Sequence, residues 1–132
     1  MNNTKITAIA NIGQSTYKTQ IFSEGHMIYA DEPEDLGGTD EAMQPTALLL
    51  ASLGSCTAIT LRMYANRKQY DLQHIKVELA IDNSDPALTN ITRKITFTGN
   101  LSSEEHTRLM QIAEKCPVHK ILSNPIHITT TS

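Results

Sequence analysis

The chain has no tryptophan and only two phenylalanines among its 132 residues, so any core must be mainly aliphatic. Cysteine is almost as scarce: Cys56 and Cys116 are alone, sixty positions apart, and form no C-x-x-C. There is no Gly-rich phosphate loop, no G-x-S-x-G and no EF-hand spacing. The N-terminal stretch MNNTKITAIANIGQ lacks a continuous apolar run of signal-peptide length. A cytoplasmic location is therefore expected, where thiols are kept reduced. No Lys or Arg occurs between Lys18 and Arg62. The net charge of −3 argues against nucleic acid as a partner. The apolar run from Leu48 to Leu61 is interrupted by Ser52, Gly54, Ser55, Thr57 and Thr60 and stops at Arg62. A membrane span needs ~20 predominantly apolar residues, so this run reads as a buried central helix, with no membrane partner.

What is present fits one domain covering residues 1–132. Alternation and β-formers predict strands over 5–12, 16–23 and 26–30, with turns at Gly13-Gln14-Ser15 and Glu24-Gly25. Residues 31–44 form an acidic loop carrying Pro33 and Gly37-Gly38. Pro45 suits the first turn of a helix running to about Lys68. Leu49, Leu53, Cys56, Thr60 and Met63 fall on one stripe of it, and Leu50, Gly54, Leu61 and Tyr64 leave the other sides apolar or small. Such a helix needs more cover than one small domain supplies, which favours an obligate homodimer. Two further strands are expected over 75–82 and 91–98, with Ile75, Val77, Leu79 and Ile81 on one face. Ser102 and Glu105 then form a capping box ahead of a second helix, whose Leu109, Ile112, Ala113 and Cys116 share a face. A last strand is expected over 126–131, past Pro125. The order is βββαββαβ, an α+β domain.

The two thiols carry the chemistry. Cys56 lies mid-helix among small residues (Gly54, Ser55, Ala58), and its residue type alone favours a small core hydrophobe over a reactive thiol. Cys116 precedes Pro117, which disfavours helical backbone at the cysteine and suits the first turn of a short helix over 117–122. Cys116 is then either the N-cap of that helix, with its pKa lowered by free N–H groups and by Lys115, Lys120 and His119, or the plain end of a helix face. A metal reading competes through the C-x-x-H spacing of Cys116 and His119, completed by His26 or Cys56, but two thiols without C-x-x-C support it weakly and no metal or other cofactor is expected. His74, His106 and His127 read as surface residues, and the carboxylates of the acidic loop as solvated.

The loop LGGTDEAMQP, the helix segment LLLASLGSCTAITLRMYANRK and the segment EKCPVHKIL together resemble the OsmC/Ohr family, the osmotically inducible and organic hydroperoxide resistance proteins. The resemblance covers nearly the whole chain. It implies an intertwined homodimer with long central helices buried between sheets from both chains. It further implies a thiol peroxidase of oxidative stress defence acting on organic hydroperoxides or hydrogen peroxide. Cys56 then corresponds to the thiol that attacks the peroxide, and Cys116 to the one that resolves the sulfenic acid to a disulfide, which a dithiol reduces. The chain departs from the peroxidase pattern twice. The first hairpin loop, Asn11 to Ser15, has no Arg, and Thr46-Ala47 follow Pro45 where a Glu is expected. Glu32, His26, Arg62 and His119 are the candidate substitutes. The alternative is a non-catalytic protein of this fold that binds a small hydrophobic ligand at its dimer interface.

Overall fold

The computed structural model describes residues 5–132. The chain divides into two compact units, 1–49 and 50–132.

The first unit is built on three antiparallel strands in the order β1 (Ile9–Asn11), β2 (Thr19–Ser23), β3 (His26–Ala30). The turn at Glu24-Gly25 joins the last two at the expected place, and Gly25 takes the positive φ of 83° that a tight hairpin needs. β1 and β2 are shorter than 5–12 and 16–23, and the segment 12–18 between them joins no strand pairing among the described residues. The loop that follows is organised around Asp31, whose side chain is almost fully buried. Its carboxylate accepts from the backbone N–H of Glu32 at 2.7 Å, the Thr39 hydroxyl at 2.8 Å and the N–H of Glu41 at 3.0 Å. A buried carboxylate is tolerable only when its lone pairs are filled in this way. Gly38 allows the closure, since a Cβ there would collide with the backbone carbonyl of Glu32. Lys18 and Glu41 form an ion pair at 3.0 Å on the exposed side.

Helix α1 (Pro45–Lys68) has the predicted limits. In its second-unit part Leu53, Gly54, Thr57, Leu61, Tyr64 and Ala65 are buried, a stripe at 3–4 residue spacing. The expected stripe through Leu49, Cys56, Thr60 and Met63 is a correction. Ile59 and Met63 are 59% and 65% exposed, so within one chain the helix is buried along one side only. With apolar residues on every side, hydropathy could not choose the buried face.

The buried stripe packs on a long antiparallel hairpin, β4 (Asp71–Asp85) and β5 (Leu88–Asn100), both longer than predicted. Register pairs Val77 with Ile95, Leu79 with Arg93 and Ile81 with Ile91. Gly54 lets the Leu79 side chain lie against α1, where a Cβ would stand 2.7 Å from its terminal carbon. Helix α2 (Ser103–Ala113) starts with the expected capping box: Ser102 Oγ accepts from the Glu105 N–H and Glu105 Oε1 from the Ser102 N–H, each at 3.1 Å. Leu61, Tyr64, Ala65, Leu72, Leu109 and Ile112 form the core. Helix α3 (Pro117–Leu122) closes the ordered elements. The predicted strand over 126–131 is not formed: among the described residues this segment pairs with no strand, and Ile126 and Ile128 are exposed. The described order is therefore βββαββαα, still an α+β fold.

Leu109 has no exposed surface, so Leu109→Ala should cost about 2–5 kcal/mol in urea unfolding. The three donors around Asp31, chiefly the Glu41 N–H, hold its pKa below the usual carboxylate value. A depressed folded pKa contributes stability that is complete above the unfolded pKa and is lost as pH falls through the folded one. Wild type should therefore lose stability on acidification below the ordinary Asp range. Asp31→Asn should be less stable at neutral pH and flatter over that acid limb, as checked by thermal melts across pH.

Candidate active site

The chain breaks at Cys116-Pro117, as the sequence predicts. Glu114 ends α2, and Cys116 takes an extended conformation (φ −61°, ψ 132°) as N-cap of α3, with Pro117 in the first helical turn. Cys116 Sγ accepts from the backbone N–H of His119 at 3.4 Å, a hydrogen bond that an N-cap serine or aspartate would ordinarily receive.

Cys56, one turn along α1 from Leu53, lies within hydrogen-bonding reach of this sulfur. Both thiols are free; Cys116 is fully buried and Cys56 partly accessible. Their ionisation is pushed apart. Burial is the largest influence on Cys56 and raises its pKa, and the bond to Cys116 raises it further, against the Val118 N–H and the Thr60 hydroxyl. Burial also disfavours a charge on Cys116. There, however, the Cys56 thiol, the N–H groups of His119 and Val118 and the Thr57 hydroxyl together prevail, and its pKa is lowered. Of the two sulfurs, Cys116 is therefore the more readily ionised and Cys56 the one that keeps its proton to higher pH.

A buried cation stands behind the pair. Arg93 of β5, with a side chain only 10% exposed, donates from Nη1 to Thr57 Oγ1 at 3.0 Å and from Nη2 to Glu114 Oε2 at 3.0 Å. Nη2 also reaches His119 Nδ1 at 3.0 Å. Arginine can only donate, so Nδ1 is the acceptor and the ring proton sits on Nε2, 3.5 Å from Glu114 Oε1. Sequence reasoning passed over Arg93, Thr57 and Glu114. The signal for Arg93 was its place in the alternating set Ile91, Arg93, Ile95, Phe97, a charge in an apolar register. Arg93, Glu114 and His119 also line a cavity of about 370 Å³ whose apolar wall includes Leu53, Ile91 and Leu122.

Of the other candidates, His119 belongs to this cluster. Arg62 donates to the carbonyls of Leu72 at 2.7 Å and Gln73 at 3.3 Å, and to Asn66 Oδ1 at 3.4 Å. It thus braces the start of β4, where the register shifts. His26 opens β3 opposite Ser23. Glu32 lies in the Asp31 loop, its carbonyl accepting from the Asp40 N–H at 3.1 Å. Among the described residues, no group of three or more His, Cys, Asp or Glu is placed to hold a metal.

Titration of thiolate absorbance should resolve two steps, one on each side of the ordinary cysteine value, both belonging to the pair. In Cys116→Ser the remaining thiol loses the neighbouring charge but not its burial. Its step should fall from the upper wild-type value yet stay above the ordinary one.

The OsmC-like protein family matches residues 38–131. No curated protein matches the chain. Among solved structures, the chain is similar to an osmotic stress induced and detoxification response protein from Psychrobacter arcticus. The identity is 26% and the TM-score 0.75, over 96% of this chain and 91% of that one. It is similar in fold to an OsmC-like protein from Mycoplasma pneumoniae, at 19% identity and TM-score 0.77, over 92% and 89% of the two chains. The organic hydroperoxide resistance protein OsmC from Legionella pneumophila also shares the fold, at 21% identity and TM-score 0.68, over 93% and 92%. With most of its length matched, both cysteines included, the chain belongs to the OsmC-like protein family.

Proposed function

We propose that the protein is a cysteine-based thiol peroxidase of oxidative stress defence, reducing organic hydroperoxides or hydrogen peroxide, with Cys56 as nucleophile and Cys116 as resolving thiol. The observation that carries this reading is the pair of free thiols within reach of each other, their pKa values pushed in opposite directions. Cys56 is the more accessible sulfur, and Cys116 is the base beside it. On arrival of a peroxide ROOH, the proton passes from Cys56 to Cys116. The Cys56 thiolate attacks the terminal oxygen, the O–O bond breaks, and the departing alkoxide takes the proton from Cys116 and leaves as ROH. Cys56 is now a sulfenic acid and Cys116 a thiolate again. Its attack on the Cys56 sulfur forms the disulfide and expels hydroxide. A dithiol reductant returns both thiols. The cavity beside Arg93 and His119, apolar on one wall and polar on the other, would seat the peroxide.

The working form is a homodimer. The exposed Ile59 and Met63 of α1 and the unpaired extended segment with Ile126 and Ile128 support this, because each leaves apolar surface or backbone donors uncovered in one chain. Free thiols suit a reducing, cytoplasmic compartment. A second reading, capture of a small hydrophobic ligand without turnover, draws on the apolar cavity wall and on the raised pKa of Cys56, which slows a thiol.

Reduced protein mixed with cumene hydroperoxide should lose two thiols per peroxide consumed. Cys56→Ser should abolish consumption. Cys116→Ser should stop after one peroxide per chain, with a sulfenic acid that dimedone traps. Thiols that survive excess peroxide for many minutes would leave the ligand-binding reading.

A further inference from the structure

Arg93 is difficult to explain as a stabilising residue. It occupies an inward position of β5 between Ile91 and Ile95, where an aliphatic side chain would pack without desolvating a charge. Its ionic partner, Glu114, has a side chain 65% exposed. A pair with one well-solvated member returns little energy, while the guanidinium bears the cost of burial. The compensation must be sought in what else Arg93 holds.

Its remaining hydrogen bonds go to Thr57 and to the His119 ring, and both residues touch Cys116. The His119 backbone N–H donates to Cys116 Sγ at 3.4 Å. The Thr57 hydroxyl is also within reach of that sulfur. Thr57 has one proton to give. At present it is directed to the Leu53 carbonyl at 2.7 Å, while Oγ1 accepts from Arg93 Nη1. With Arg93 occupying that lone pair and adding positive charge, the hydroxyl is a better donor to a sulfur anion than an acceptor from a thiol. On the other side, Arg93 and Glu114 fix the His119 ring between them, Nδ1 against the guanidinium and Nε2 toward the carboxylate. This pins the first turn of α3, from which the N–H to Cys116 comes.

We propose that Arg93 is the positioning cation of the thiol pair, acting on Cys116 through the Thr57 hydroxyl and the His119 segment, in place of a cation from the first hairpin loop. The ionisable groups that surround this sulfur are Cys56 from α1, Arg93 from β5, Glu114 from the end of α2 and His119 from α3. Of these, Glu114 pairs with Arg93 and also faces the His119 ring. The value of this arrangement to turnover rests on the peroxidase reading; the arrangement itself does not.

The test separates the two. In a Cys56→Ser background the only thiolate is that of Cys116, and its absorbance can be titrated without peroxide. Arg93→Met should move the midpoint up by about one unit, a roughly tenfold smaller thiolate-to-thiol ratio at neutral pH. Arg93→Lys should recover part of the shift, since it restores charge but not the planar fork. Thr57→Val, which keeps shape and removes the hydroxyl, should shift the midpoint in the same direction and decides the matter if Arg93→Met does not fold. Unchanged midpoints in the variants that retain wild-type circular dichroism would overturn the proposal. A second arm, peroxide consumption with both cysteines present, reports on function alone. Shifted midpoints in a protein that consumes no peroxide would uphold Arg93 and remove the peroxidase, and normal consumption with unshifted midpoints would do the reverse.

Discussion

The site depends on one backbone constraint, the peptide between Cys116 and Pro117. Proline at this point disfavours helical φ/ψ at the preceding residue and has no N–H to offer, so the chain leaves α2 and restarts as α3 within a few residues. A restarting helix has unpaired N–H groups in its first turn. Here those of Val118 and His119 face sulfur rather than water. Were α2 to continue through Cys116, these donors would be consumed by carbonyls four residues back. Cys116 would then be one more apolar contact on the face of Leu109 and Ile112.

With the donors in place, the two sulfurs divide their labour by environment. Both are desolvated, which alone would raise both pKa values and leave two inert thiols. The asymmetry comes from the number of donors each receives and from the single proton between them. A hydrogen bond from Cys56 lowers Cys116 and, for the same reason, raises Cys56. The buried sulfur is therefore the more readily ionised of the two.

The sequence was most legible where the signal is local. Pro45, the Ser102–Glu105 box and the Cys116-Pro117 pair each determine the conformation of two or three residues by sterics or capping, and α1, α2 and α3 begin where these residues place them. Alternation in Ile75 to Ile81 identified the inward face of β4 correctly, though not its ends, because pairing extends as far as the partner strand does. Signals that depend on a partner were not legible. The buried side of α1 could not be read from a helix apolar all round, and 126–131 has the composition of a strand but no strand to pair with among the described residues. That Cys56 and Cys116 work together was implied by the family resemblance alone, since no spacing brings them into reach; Arg93 was not visible, because its meaning lies in the docking of β5 against α1 and the α2–α3 junction. An isolated charge in a strand reads as a solvated residue until its register is known.

Local rules are broken here at three positions, and the three converge. A cysteine stands where serine or aspartate would cap α3 better. An arginine stands in an aliphatic register. A threonine sits in the buried stripe of α1, bonded back to Leu53, where valine or leucine would pack without a polar atom. Each choice is unfavourable for stability taken singly, and a chain under selection for stability alone would have no reason to retain them together. They sit within one cluster: Arg93 bonds to Thr57 and His119, the His119 N–H bonds to Cys116, and the Thr57 hydroxyl lies within reach of the same sulfur. Independent departures from good packing would be scattered through the molecule. Departures that meet at one sulfur are the physical mark of a site whose chemistry the fold has been shaped to hold.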